Sequence, residues 1–191
     1  MRVNSNSVSQ IHLLKRLPAE NQLFIVCPFS KIENHFCSKN ECLPFFITRL
    51  GACTNSMDLS TQNALLHFIK EQNILQIILA VSTECAFMDR IISRKKLFGL
   101  APEKTMEDIY IDHYNKTFKF LDTKDQKIEL ARLYADDQLS SFKNLTFLKH
   151  FLNQSNISFN IMIVEEGQHF ITQTLKQSVE NQACFSEYSQ L

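Results

Sequence analysis

Glycine is nearly absent from this chain, with three in 191 residues. A loop that cradles phosphate needs glycine where backbone crowds the ligand, and neither GxGxxG nor GxxxxGK(S/T) occurs. Ordinary dinucleotide-binding and P-loop chemistry are therefore disfavoured. Excess charge is absent too. Twenty Lys and Arg balance twenty Asp and Glu, and no basic face stands out, so nucleic acid or an acidic membrane surface gains no support as a partner. No apolar run approaches the roughly 20 residues that span a bilayer. The polar start, Met1 to Ser7, does not read as a secretory signal. A soluble, cytoplasmic protein is the expectation. Tryptophan is missing against 16 phenylalanines, which read as core and interface.

What is present is an alternation of strand and helix. Leu23–Cys27 is a continuous apolar run stopped by Pro28, as in a buried strand. Pro44–Arg49 reads as a second strand. Asp58 or Ser60 caps a helix over about 60–72 that buries Ala64, Leu65, Phe68 and Ile69. Ile74–Val81, almost wholly apolar and β-branched, is the strongest strand and belongs at the sheet centre, covered on both faces. Ser82 or Thr83 then caps a helix carrying Phe87, Met88, Ile91 and Ile92. Residues 101–136 read as one or two helices, and Leu139, Phe142, Leu145, Leu148, Phe151 and Leu152 as one more. Asn156–Val164 returns as a strand. Glu165-Glu166-Gly167 turns into a short edge strand, and the tail from Thr172 is expected to be helical.

With no internal repeat and no dividing linker, residues 1–191 read as a single α/β domain with a central, mostly parallel sheet of four or five strands flanked by helices. Residues 8–17 carry a short helical apolar stripe (Val8, Ile11, Leu14, Leu17) and form an amino-terminal helical arm at 1–20.

The six cysteines read as thiols, since nothing supports secretion. His35, Cys37 and Cys42 form His-x-Cys-x₄-Cys, which lacks a second ligand pair and reads as loop thiols. His67 and His150 read as helix-surface residues, and nothing places His113 or His169 in a pocket. Arg94-Lys95-Lys96 reads as a solvated helix end. Cys27 and Cys85, by contrast, each fall at or just beyond the carboxyl end of a strand, where open α/β sheets place their chemistry. Cys85 is expected in a helix's first turn, a setting that favours thiolate.

Three segments carry a resemblance. They are Cys27-Pro28-Phe29-Ser30-Lys31, Arg49-Leu50-Gly51-Ala52-Cys53 and Val81-Ser82-Thr83-Glu84-Cys85-Ala86. Their order and spacing, over about residues 23–98 and 139–170, resemble the β-class carbonic anhydrases. The corresponding patterns there are Cys-x-Asp-Ser-Arg, Arg-Asn-Ala-Gly-Asn and Gly-His-x-x-Cys-Gly. The resemblance implies zinc held by Cys27, Cys85 and a histidine, but Ser82 stands at the histidine position, and a hydroxyl is a poor zinc ligand beside imidazole. Phe29 replaces the aspartate and Lys31 the arginine of the pair that controls access to the metal, and lysine lacks the planar two-pronged geometry. The resemblance thus implies a degenerate zinc site whose pocket is formed by Phe29, Ser30, Lys31, Arg49 and Ser82. It also implies a homodimer exchanging amino-terminal helices.

Three function classes follow. One is a carbonic-anhydrase-like protein that has lost zinc-dependent CO₂ hydration and is retained as a binding, assembly or structural protein, its small-molecule ligand unidentified. A second is an active zinc lyase or hydrolase of small linear substrates such as CO₂, its site rebuilt from Cys27, Cys53 and Cys85. A third is a thiol redox sensor at Cys27 and Cys85, which needs only that the two sulfurs approach and oxidise.

Overall fold

The computed structural model describes residues 21–30, 32–33, 44–55, 57–165 and 170–175. The expected arm at 1–20, Lys31, the loop with His35, Cys37 and Cys42, and His169 lie outside them. Five strands form one sheet: β1 (Gln22–Val26), β2 (Phe45–Thr48), β3 (Gln76–Ser82), β4 (Ser158–Val164) and β5 (Phe170–Leu175), in the order β2-β1-β3-β4-β5. The first four run parallel, and β5 closes the far edge antiparallel to β4. The sequence expectation of a mostly parallel sheet is met. β3 is central as expected, with all seven residues buried, because a parallel strand covered on both faces admits no polar alternation.

Alternate side chains on each strand point to opposite faces. Leu23, Ile25, Ile77, Leu79, Val81, Phe159, Ile161 and Ile163 face the larger core. That core is completed by α1 (Leu59–Glu71), α2 (Ala86–Ile92), α3 (Ala101–His113), α4 (Thr123–Lys143) and α5 (Thr146–Gln154). The other face carries Phe24, Val26, Ile78, Ala80 and Met162, with Ile32 packed among them. Among the described residues, no helix is long and apolar enough to cross a membrane.

Four local expectations fail. Ala64 is exposed, so the buried side of α1 is centred on Gln62, Leu65 and Ile69 instead. Neither Ser82 nor Thr83 caps α2. Cys85 is the N-cap, and the two preceding positions form a turn in which the Cys85 N–H donates to the Ser82 carbonyl at 3.2 Å. The apolar stripe from Leu139 to Leu152 is two helices, because the backbone turns extended at Leu145 (ψ 133°) and restarts as α5. Thr172–Leu175 is strand, held by the β4 ladder, where a helix was expected. Asp58 does cap α1, its Oδ1 accepting from the Thr61 N–H at 2.8 Å.

Candidate thiol site at the carboxyl edge of the sheet

β1 and β3 are neighbours, so the residues just past their carboxyl ends meet. Cys27 follows β1, and Cys85 follows β3 after the Thr83-Glu84 turn. Both thiols are buried, and neither is in a disulfide. The two sulfurs lie close enough for each to perturb the other's titration. Two residues 58 positions apart thus form one sulfur pair.

A tight turn at Leu50–Ala52, between β2 and α1, closes over Cys27. Gly51 and Ala52 both take positive φ there, 63° and 54°. This left-handed pair turns the Gly51 N–H onto the Cys27 sulfur at 3.3 Å, with the Phe29 and Ala52 N–H groups also donating to it. Glycine is required at 51 for a second reason. A Cβ there would sit 2.5 Å from Cβ of Pro102 and 3.1 Å from the Tyr134 hydroxyl.

These contacts set the thiol chemistry. The neighbouring Cys85 thiol, aided by the three N–H groups and opposed by burial, lowers Cys27 from 9.0 to about 6. Cys85 moves the other way, because Cys27 beside it carries the charge and because it is buried. The pair is best described as sharing one proton near neutral pH. Thiolate absorbance near 240 nm is therefore expected to rise in a step centred near pH 6. Cys27→Ser removes that step, and Cys85→Ala, which deletes its largest cause, moves it upward. A single step near pH 9 in the parent chain contradicts this arrangement.

Tyr134 closes the site from α4. Its side chain is fully buried, its hydroxyl has no hydrogen-bond partner among the described residues, and it abuts Gly51. Burial pushes its pKa up, and the nearby thiols Cys53, Cys85 and Cys27 push it further. Sequence reasoning missed Tyr134. The stripe Leu130, Tyr134, Leu139, Phe142 marks a buried helix face, yet nothing in it signals that one hydroxyl reaches the cysteines.

The other anticipated residues have structural partners. The Ser82 hydroxyl accepts the Glu84 N–H at 3.2 Å. The Cys53 thiol donates to Asn55 Oδ1 at 2.8 Å. Arg49 Nε donates to the Cys53 carbonyl at 2.9 Å, bracing the turn from Arg49 to Cys53. The Ser30 hydroxyl donates to the Cys27 carbonyl at 2.6 Å, and Phe29 stands outside, 61% exposed. From α4, Gln138 accepts the Thr54 N–H at 2.8 Å, and its carbonyl accepts the Thr54 hydroxyl at 2.6 Å. Cys27 and Cys85 are thus brought together, with Cys53 beside Tyr134 and outside the pair. Among the described residues no group of three or more His, Cys, Asp or Glu side chains is placed to hold a metal ion. His67 and His150 are exposed, as expected, and His113 is half-buried at the end of α3. The basic residues Arg94, Lys95 and Lys96 are exposed beyond α2, also as expected. Arg94 and Lys95 border a separate cleft of about 480 Å³ that includes Tyr110 and Tyr114.

No family profile matches the chain, and no curated protein sequence does. Solved structures do. A structure of two tetrameric β-carbonic anhydrases from Sordaria macrospora superposes with a TM-score of 0.66 at 14% identity, over 86% of this chain and 85% of that one. The β-carbonic anhydrase CafA of Aspergillus fumigatus gives 0.67 at 16%, over 89% and 83%. The fold is that of the β-carbonic anhydrases. A third match, the Coccomyxa β-carbonic anhydrase in complex with acetazolamide, gives 0.59 at 14%, over 90% and 78%. The β-carbonic anhydrase fold therefore extends over most of the chain, while sequence identity stays too low to carry more than the fold.

Proposed function

We propose that this chain is a carbonic-anhydrase-like protein in which zinc-dependent CO₂ hydration is lost and the pocket serves binding and assembly. The observation that carries the reading is the donor set. Zinc is held by four ligands, or by three with a water at the fourth position. Here two sulfurs meet, the Ser82 hydroxyl is engaged by the Glu84 N–H, and the Cys53 thiol is engaged by Asn55. Those residues do not fit a catalytic zinc. The rebuilt Cys27–Cys53–Cys85 site would require Cys53 to abandon its partner and join the other two sulfurs.

The pocket of this reading comprises Phe29, Ser30, Lys31, Arg49 and Ser82, within a single cytoplasmic domain. The chain self-associates as a homodimer, an assignment supported by the exposed Phe29 and Leu50 beside the site. A monomer in light scattering contradicts that part. For the chemistry, stopped-flow CO₂ hydration with pH-indicator detection is decisive. Protein supplied with zinc is expected to give no rate above the uncatalysed reaction. A zinc-dependent acceleration that disappears in Cys27→Ser contradicts the proposal.

A further inference from the structure

Helix α2 ends with an arginine at a position whose backbone favours glycine. The Arg94 N–H donates to the Ile91 carbonyl at 3.1 Å, and the Lys95 N–H to the Arg90 carbonyl at 2.8 Å. This pair of bonds is a Schellman closure, in which the residue after the cap turns left-handed. Arg94 takes that conformation, with φ 52°. The same closure ends α1, where the left-handed residue is Asn73 (φ 48°), a type that tolerates it. Arginine carries the steric penalty without that relief. Strain of this kind is kept where the side chain has a use.

The side chain of Arg94 borders the cleft of about 480 Å³ between α2 and α3, a volume within the range of about 300–1,000 Å³ that small-molecule sites occupy. Its walls are apolar and aromatic, with Ile91, Leu97 and Ile111 beside the rings of Tyr110 and Tyr114. Those rings lie 5.6 Å apart, and Tyr110 is fixed by its hydroxyl, which donates to Gln126 Oε1 at 2.9 Å. Three cations reach the cleft, and they are not equivalent. Arg90 is engaged in structure, with its Nε 3.9 Å from Glu103 and its guanidinium 3.9 Å over the Phe98 ring. Arg94 and Lys95 are exposed and join no ion pair among the described residues. Arg94 makes one long contact, Nη2 to the Tyr114 hydroxyl at 3.4 Å, which keeps its guanidinium beside that ring. Glu107 is the cleft's one carboxylate. Two unpaired cations against one carboxylate favour a ligand with a single negative charge, since a second charge would be repelled by Glu107.

We propose that this cleft binds a small aromatic carboxylate, with its ring against Tyr114 and its carboxylate on Arg94 and Lys95. A guanidinium offers a planar fork of N–H donors that matches a carboxylate, and the tyrosine ring beside it offers a face for a flat apolar body. None of the described cysteines lines the cleft, so occupancy is expected whether or not Cys27 and Cys85 hold zinc.

The test uses the full chain at low salt, with phenylacetate as the probe and ligand-observed NMR as the readout. Saturable binding with a dissociation constant of about 1 mM or below is expected. Phenylacetamide, which keeps the shape without the charge, is expected to bind roughly tenfold more weakly. Phenyl phosphate is expected to bind more weakly than phenylacetate, because its second charge faces Glu107. Arg94→Gly should weaken phenylacetate roughly tenfold and yet melt at or above the parent temperature, since glycine relieves the left-handed strain. A purely structural arginine would not separate binding from stability in that way. Lys104→Ala, which removes a cation from the exposed side of α3 outside the cleft, should leave binding unchanged. No saturation by 10 mM phenylacetate, roughly tenfold above the expected constant, overturns the proposal, as does equal weakening by Arg94→Gly and Lys104→Ala. Tighter binding of phenyl phosphate overturns the choice of a carboxylate. An Arg94→Gly chain that melts below the parent overturns the functional reading of the strain, and the three ligands on the parent chain still decide whether the cleft binds.

Discussion

Gly51→Ala is expected to lower the melting temperature by about 10 °C. The left-handed backbone at φ 63° costs a non-glycine residue about 1–2 kcal/mol. The added methyl would lie 2.5 Å from Cβ of Pro102, a carbon fixed at the start of α3 that cannot rotate away. Overpacking of that kind costs typically 1–3 kcal/mol. The sum, about 3 kcal/mol, converts at about 2–4 °C per kcal/mol for a chain of this size. Gly99→Ala is the control. That residue also has positive φ (81°), but nothing lies within 4 Å of the new Cβ, so only the backbone penalty of about 1 kcal/mol remains. Equal melting shifts in the two variants would show that the Pro102 contact is not tight. Because the Gly51 N–H also reaches the Cys27 sulfur, Gly51→Ala should raise the midpoint of the Cys27 thiolate step, whereas Gly99→Ala should not.

If the proposed reading holds and the parent chain lacks stoichiometric zinc, Ser82→His is expected to yield a chain that holds about one zinc. The substitution restores imidazole at the position that the resemblance aligns with the family's histidine, three residues before Cys85. It also releases the Glu84 N–H, which now donates to the serine hydroxyl. Glu84 is the exposed residue of the Thr83-Glu84 turn, so its amide can turn to water. Position 82 is the last residue of β3 and is buried, so the larger ring costs some stability, and the measurement of interest is metal content. Zinc retained through gel filtration, and lost again in Ser82→His with Cys27→Ser, is the expected result. Failure to gain zinc in a folded variant would mean that the site departs from the family's at more than its donor set.

How far this was legible in the sequence varied with the kind of signal. β1, β3 and β4 announce themselves as apolar runs because a parallel strand covered on both faces has no polar side to interrupt it. The carboxyl-end placement of Cys27 and Cys85 follows from those runs alone. The break between α4 and α5 was invisible, because Leu139, Phe142, Leu145, Leu148 and Leu152 keep helical spacing straight through it, and neither glycine nor proline marks the turn at Asn144. β5 carried a readable signal, since Phe170-Ile171-Thr172-Gln173-Thr174-Leu175 is rich in strand-forming residues. The ladder with β4 decides its state. The cap of α2 was misplaced because Ser82 and Thr83 have the preferred chemistry, yet the strand runs on through Ser82 and leaves the cap to Cys85.

The site was legible in its sulfurs and illegible in its surroundings. Spacing gives which cysteines follow which strands, but the N–H groups that distinguish Cys27 from Cys85 depend on the conformation of Gly51 and Ala52. The Tyr134 hydroxyl arrives from a helix more than forty residues away in sequence, in the stretch whose pattern was hardest to read. Backbone donors and a distant hydroxyl leave no local motif, so their convergence is a property of the fold.

The central claim is that Cys27 and Cys85 form a thiol pair free of zinc, and metal content by mass spectrometry tests it most directly. The chain is purified without a metal-affinity tag, beside Cys27→Ser and Cys85→Ser. The account predicts no stoichiometric zinc in the folded parent chain and no change in either variant. About one zinc per chain, lost when either cysteine is replaced, would contradict it.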